Sequence, residues 1–436
     1  MRARLPGFLR WFAPGMRVKR WVILAVASIA LVVFGTLPLL GLDLLRAIYS
    51  ASRLPEPYHL LIVGASFLLG TAGFATSLAQ LVRSVARGVA PQAVEKTSTL
   101  IYRTRLLQRG PHVVAIGGGT GLSSLLRGLK TETSNITAVV TVMDDGGSSG
   151  RLREAIDVLP PGDVRNCLLA LAEDETQLSR YFQHRFVAPA ELAGHALGNL
   201  LLTGLEQATG GFDLAIEAMS HFLRIEGRVL PATLTKAHLV ALLQDGDRIE
   251  GETRITADPR TIRRIILSTS PVPAYEPVLR AIAEADLIVL GPGSLYTSIV
   301  PNLLVDGLSA AIENAAAEKL LVANLMTQPG ETTGFTLSNH LHVLTEYVDV
   351  RRFDLLLVNS AVPDPRMLAG YREEAAEPVV DDVEDANDYA LTVVRTNLVG
   401  TAKWAGKLTI KHDPKKLARA ITRNTQAFLH PRRMAN

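Results

Sequence analysis

The sequence predicts an α/β protein: a mostly parallel sheet with helices on both faces, preceded by a two-helix transmembrane hairpin. Three observations carry this. Residues 21–40 and 58–82 contain no Asp, Glu, Lys or Arg. From His112 onward, short apolar runs alternate with helix-like sequence, and each run ends in Gly, Asp, Asn, Ser or Thr. The charge is also split. Residues 1–110 hold 14 Lys and Arg against Asp43, Glu56 and Glu95, a local +11. Since the whole 436-residue chain sums to +3, residues 111–436 carry −8. The mean hydropathy of +0.21 is therefore an average over two unlike parts. A chain that is 48% hydrophobic is too apolar for disorder, and a single Cys builds no disulfide scaffold.

The front comes first. About 20 uncharged residues span a hydrocarbon core of ~30 Å as a helix, which residues 21–40 satisfy. Residues 58–82 are less apolar and contain Gly64, Gly70 and Gly73, small residues that suit packed membrane helices. Six cations and no acid precede Trp21, and Arg83, Arg87, Lys96, Arg103 and Arg105 follow the second stretch. The loop between them holds two, so the positive-inside rule places both termini and the main domain in the cytoplasm, on a two-pass hairpin in the cytoplasmic (inner) membrane. The competing readings are a cleaved signal peptide and a hairpin buried in a soluble domain. The first stretch is long for a signal peptide, and no A-x-A-like site clearly follows it. The expected organisation is a membrane hairpin over 1–83, a basic juxtamembrane linker over 84–110, a ligand-binding domain over 111–425 and a basic tail over 426–436. The lone Cys167 suits a reducing compartment.

In the body, HVVAIGGGTGLSSLLRGLK reads as a buried strand, a glycine-rich turn and a helix from about Leu122. Glycines let backbone N–H groups approach a phosphate, and a helix N-terminus favours negative charge. Gly118, Gly119, Thr120 and Gly121 are the phosphate candidates, with Ser123 and Ser124 opening the helix. Leu122 breaks the dinucleotide fingerprint, and no Gly-Lys-Ser/Thr follows as in a Walker loop. A second strand over 136–142 ends in Asp144 and Asp145. This acidic pair suits ribose hydroxyls, a Mg²⁺ on a diphosphate, or helix capping. Asp163, before the next helix, is an N-cap or a second carboxylate for the same metal. Asn199 opens an apolar helix, where an amide invites a base or sugar contact, while His195 reads as a core histidine. Runs over 287–290, 320–323 and 355–358 are further strands. Gly293 and Ser294 follow the first of these as a second phosphate or sugar loop, and Asn324 follows the second. Strand ends of a parallel sheet converge on a ligand crevice. No nucleophile–His–carboxylate set stands out.

The segments GGGTGLSSLLRGLK, TVMDDGGSSGRLR, LPPGDVRNCLLALA, HALGNLLLTGL, LPATL, LGPGSLYTSIVPNLLV, NLMTQPGETTGFT and KHDPKKLA occur in this order. Together they resemble the YvcK-like family of gluconeogenesis factors, related to the CofD-type 2-phospho-lactate transferases. The resemblance spans about residues 111–425 and implies a Rossmann-like domain with additional helices. It implies a UDP-sugar ligand of the UDP-N-acetylglucosamine kind. The implied role is regulation of cell shape, cell-wall synthesis and gluconeogenic growth, with cell-wall synthesis proteins and a second copy of the chain as partners. It carries over no reaction.

The strand-end reading and the resemblance together give the ligand set Gly118, Gly119, Thr120, Gly121, Asp144, Asp145, Asn199, Gly293, Ser294, Asn324, Tyr371 and Lys411, in which Asp144 and Asn324 come from the strand ends. Tyr371 offers a ring to a base and Lys411 a cation to the diphosphate. The transferase branch implies an alternative, a Mg²⁺-dependent transferase with the metal on Asp145 and Asp163. A nicotinamide oxidoreductase is disfavoured by Leu122. The hairpin departs from most soluble members. The acidic stretch 373–388 reads as a solvated loop or an insertion. Residues 403–436, with nine Lys and Arg against Asp413, read as a basic terminal helix and tail. No interleaved aromatic platform or known module accompanies them, so no nucleic-acid partner is expected, and a helix docking on the acidic body or on the membrane is the simpler reading.

Overall fold

The computed structural model describes residues 19–36, 56–89, 105–188, 192–384, 388–404 and 407–430. The chain divides into two compact units, Met1–Arg103 and Thr104–Asn436.

The first unit pairs helix α1 (Lys19–Thr36) with α2 (Glu56–Val89). Within them, Lys19–Thr36 and Leu61–Ser84 are long and apolar enough to cross a bilayer. Ser28, Gly35, Ser66, Gly70 and Ser77 are buried between the helices, while Ile23, Val26, Leu61, Leu68 and Leu69 point outward. This reverses the order of a water-soluble hairpin, in which the apolar stripe is buried. Helix α2 runs six residues beyond 83, and the second unit begins at Thr104, inside the expected linker.

The second unit is built on seven parallel strands. They are β1 (Val113–Gly117), β2 (Ile136–Val140), β3 (Arg228–Pro231), β7 (Leu287–Leu290), β8 (Glu318–Val322), β9 (Leu355–Asn359) and β10 (Thr392–Thr396). Every residue of β1, β2 and β7 is buried. These strands are covered on both faces, so they read as continuous apolar runs rather than alternations. The order β10-β9-β8-β7-β1-β2-β3 reverses direction between β1 and β7. That reversal opens a crevice at the carboxyl ends of the two strands, where ligands of such sheets bind.

Helix α3 (Gly119–Leu129) shows how sequence sets the packing. Leu122, Leu125, Leu126 and Leu129 fall at helical spacing, and all are fully buried. The helix starts three residues earlier than the sequence suggests, because Gly119 takes φ +59° and turns the chain directly out of β1. Helices α4 (Gly147–Ile156), α5 (Gly162–Leu171), α6 (Leu197–Thr209) and α7 (Phe212–Leu223) follow β2.

Three parts lie beyond the expected pattern. Strands β4 (Leu239–Leu243), β5 (Arg248–Glu250) and β6 (Ile262–Leu267) form a small antiparallel sheet that carries helix α8 (Glu252–Ala257). Strands β11 (Val399–Trp404) and β12 (Lys407–His412) form a hairpin. The stretch expected as a solvated loop, where described, is tied to the sheet instead. Thr327 N donates to Glu377 O (2.7 Å), and Val379 N donates to Leu325 O (3.1 Å). Asp382 accepts from Ser338 N and Oγ, and Asp381 pairs with Arg395. The acids there anchor a segment rather than solvate it. The described part of the basic C-terminus also docks. In α10 (Pro414–Asn424), Leu417, Ala418, Ala420 and Ile421 are buried, and Asp413 caps the first turn.

Candidate functional site

The crevice between β1 and β7 holds a cavity of about 460 Å³. Gly118, Gly119, Thr120 and Gly121 form one wall, and Pro292, Gly293, Ser294, Thr297 and Ser298 form the facing one. The two turns touch: a Cβ at Gly121 would strike the Pro292 carbonyl oxygen. Asn324 through Pro329, after β8, close the floor. Helix α9 (Pro365–Glu373) brings Tyr371, and β12 brings Lys411 and His412. Ile410 N donates to Tyr371 Oη (2.8 Å), which fixes the ring against the hairpin. Burial, with Arg127 nearby, lowers the pKa of Lys411. Burial pushes His412 down to about 4, so it is neutral at pH 7.

The opposite end is acidic. Asp144, Asp163 and Glu252 line it. Burial pushes Asp163 up to about 7; Asp144 adds to the rise, while the Gly119 N–H and Arg165 oppose it. Burial also holds Glu252 well above the carboxylate range, and its neighbour Asp144 shares a hydrogen bond with it. Asp163 and Glu252 bind protons more tightly than free carboxylates because they are desolvated and crowded by like charge.

Both turns at the crevice already carry an internal carboxylate. Asp163 accepts from the Gly119 N–H. Glu331 accepts from Thr297 Oγ1 (3.2 Å) and from the Tyr296 and Thr297 amides, and burial raises it to about 7. Ser123 and Ser124 return their hydroxyls to Gly119 O and Thr120 O. The amides of Gly119, Tyr296 and Thr297 are thus engaged, so a phosphate here would rely on the rest of the α3 turn, Ser294 and Lys411.

The profile of the 2-phospho-L-lactate transferase CofD family matches residues 113–399. The "Gluconeogenesis factor" of Bacillus subtilis (strain 168) is 43% identical over 309 residues, 71% of this chain and 96% of its own length. The chain belongs to the gluconeogenesis-factor (YvcK) family, with a CofD-like domain. A Nostoc sp. relative that carries the same designation provisionally is 41% identical over 432 residues, 96% of this chain and 92% of its own length. That match therefore extends into the region of the two apolar helices. A crystal structure of a Bacillus halodurans protein superposes with a TM-score of 0.68 at 44% identity, covering 71% of this chain and 99% of its own.

The cavity gathers most residues of the expected family set, but not all. Asp145 does not line it. Its carboxylate accepts from Thr253 N (2.8 Å) and Thr253 Oγ1 (2.7 Å), so it anchors the inserted sheet. Asn199 is also absent from the lining: Oδ1 accepts from Arg165 (2.6 Å) and Nδ2 donates to Ser148 Oγ (3.1 Å). The amide expected to meet a ligand is hydrogen-bonded within the protein instead. Glu252 was missed because it lies in the insertion, far along the chain from Asp144 and Asp163. The sequence offers no local signal for it.

Among the described residues, no three Asp, Glu, His or Cys side chains form a cage for a metal ion. Mg²⁺ rarely needs one, since it is held by one or two carboxylates plus substrate phosphates. The hard oxygen donors Asp144, Asp163 and Glu252 fit that sharing, and the raised pKa values of Asp163 and Glu252 mark a site whose crowding a cation would relieve. Of the pair expected for a metal, Asp163 lines the cavity and Asp145 does not.

Proposed function

We propose that this gluconeogenesis-factor family member is a membrane-anchored regulator that binds a UDP-sugar of the UDP-N-acetylglucosamine kind. Its body would face the cytoplasm, and it would act in cell shape, cell-wall synthesis and gluconeogenic growth. The observation that carries the reading is the convergence of the α3 turn, Ser294, Asn324, Tyr371 and Lys411 on one cavity. Its volume suits a ligand of nucleotide-sugar size, in the range of ~300–1,000 Å³ for small-molecule sites. Tyr371 supplies an aromatic face for a base, and Lys411 a partly desolvated cation for a diphosphate. The anchoring rests on the outward apolar faces of α1 and α2 and on the basic flanks. Titration calorimetry of the full chain in nanodiscs with UDP-N-acetylglucosamine tests the reading. Saturable heat that Lys411→Ala weakens at least about tenfold supports it, and absence of heat at millimolar ligand ends it.

One observation favours a second reading, a Mg²⁺-dependent transferase. The crowded acids Asp144, Asp163 and Glu252 stand at the end of the same cavity. A bound Mg²⁺ would neutralise charge on a transferring phosphate. Mg²⁺-dependent nucleotide release that Asp144→Asn abolishes would favour this reading. Binding without turnover would remove it.

A further inference from the structure

Three guanidiniums gather around residues 193–199, outside the lining of the main cavity. Arg151, on α4, donates Nη1 to Ala193 O (3.0 Å). Arg185 donates Nη1 to Gly194 O (2.7 Å). Arg165, on α5, donates Nη1 to Asn199 Oδ1 (2.6 Å) and Nη2 to Asn166 Oδ1 (3.0 Å). Among the described residues, none of the three forms an ion pair. Some arginines elsewhere are paired: Arg260 contacts Asp245, Asp247 and Asp258, and Arg395 contacts Asp381.

Arg165 is the telling member. It is only 9% exposed, and its buried Nε has no hydrogen-bond partner. An unpaired charge out of water is costly, and like charges close by add to the cost. Arg185 adds like charge beside it. Arg151 and Arg185 are exposed, so the cluster has a buried floor and an open rim. The surroundings are hydrogen-bonded. Ser148 Oγ accepts from Ala196 N (3.4 Å) and Asn199 Nδ2 (3.1 Å), which leaves its proton for His195 Nδ1 (3.1 Å). Helices α4 and α6 both begin here without a side-chain cap, and their positive ends add to the field.

We infer that Arg151, Arg165 and Arg185 form a second anion site, separate from the nucleotide-sugar cavity, that takes the phosphate group of a phosphorylated ligand. Planar guanidiniums with unused N–H donors match phosphate oxygens in bidentate geometry. The same chemistry is presented by a soluble phosphate ester and by an anionic lipid headgroup.

The test uses the full chain in nanodiscs of neutral lipid and inorganic phosphate as the probe, at constant ionic strength. The expected result is a saturable rise in Tm with phosphate. Arg151→Gln and Arg185→Gln, on the exposed rim, should leave the phosphate-free Tm unchanged and each weaken the response about five- to tenfold. Arg165→Gln should abolish it. Discs containing phosphatidic acid separate the sources: loss of the phosphate response there assigns a lipid headgroup, and an unchanged response assigns a soluble phosphate ester. The inference is overturned if wild type shows no saturable response, or if the rim variants respond as wild type does. Either outcome is independent of whether a UDP-sugar binds the main cavity.

Discussion

Replacing Gly121 with alanine probes the contact that defines the crevice. The added Cβ would meet the Pro292 carbonyl oxygen well inside van der Waals contact, with the carbonyl carbon at 2.8 Å and Gly293 Cα at 3.2 Å. These are backbone atoms, which cannot rotate away as a side chain can. The turns after β1 and β7 must then separate. Overpacking of this kind costs about 1–3 kcal/mol. At roughly 2–4 °C per kcal/mol for domains of 150–250 residues, the melting temperature should fall by ~2–12 °C. The controls are Gly204→Ala in α6 and Gly370→Ala in α9, where an added Cβ meets nothing within 4 Å. Alanine at such helical positions stabilises by about 0.4–1 kcal/mol, so the sign reverses. Thermal unfolding of the three variants in nanodiscs, alongside nucleotide-sugar titration, provides the assay. If Gly121→Ala melts like Gly204→Ala, the two turns do not touch as described, and the crevice geometry is wrong.

Four further outcomes follow from the same structure. Asp163 and Glu331 each have a folded pKa raised to about 7. The folded state therefore holds more protons than the unfolded chain between the unfolded carboxylate value near ~4 and about 7. Stability is lost as pH rises through that window, so Tm should increase from pH 8 to pH 6. Glu331→Gln keeps an acceptor but removes the charge, so it should flatten that slope and raise Tm at pH 8; an unchanged slope refutes the assignment. Ile421→Ala, fully buried in α10, should cost about 2–5 kcal/mol in urea unfolding, whereas a tail that merely rested in solvent would show no loss. External protease added to spheroplasts should leave the body intact, and cleavage from outside would place it on the other side of the membrane. Thr253→Val removes the hydroxyl donor to Asp145 and should destabilise by about 0.5–3 kcal/mol without weakening UDP-sugar binding; a loss of affinity would return Asp145 to the site.

Strand ends were the most legible feature of the sequence. β1, β2, β7, β8 and β9 are apolar runs closed by polar or glycine residues, because both faces of the sheet are covered. β3 and β10 escaped notice because edge strands lack that signature: β3 has only four residues and ends in Pro231, and β10 is only partly buried. The antiparallel insertion was missed because a strict strand-helix alternation leaves no place for it, although Gly246 turns its first hairpin. Within the site, the Asp144-Asp145 pair shows the limit most clearly. Adjacent side chains on an extended chain face opposite ways. One points to the cavity and the other to Thr253, and sequence alone gives both the same weight. Asn199 failed for a related reason, since a buried amide is equally well explained by a buried partner, here Arg165 and Ser148.

The central claim is that the crevice between β1 and β7 binds a UDP-sugar. Calorimetric titration of UDP-N-acetylglucosamine into the full chain tests it most directly, with Lys411→Ala and Tyr371→Ala beside the wild type. The account predicts saturable one-site binding to the wild type, weakened about tenfold or more in each variant. Wild-type binding that both variants retain, or no binding by any of the three, would contradict it.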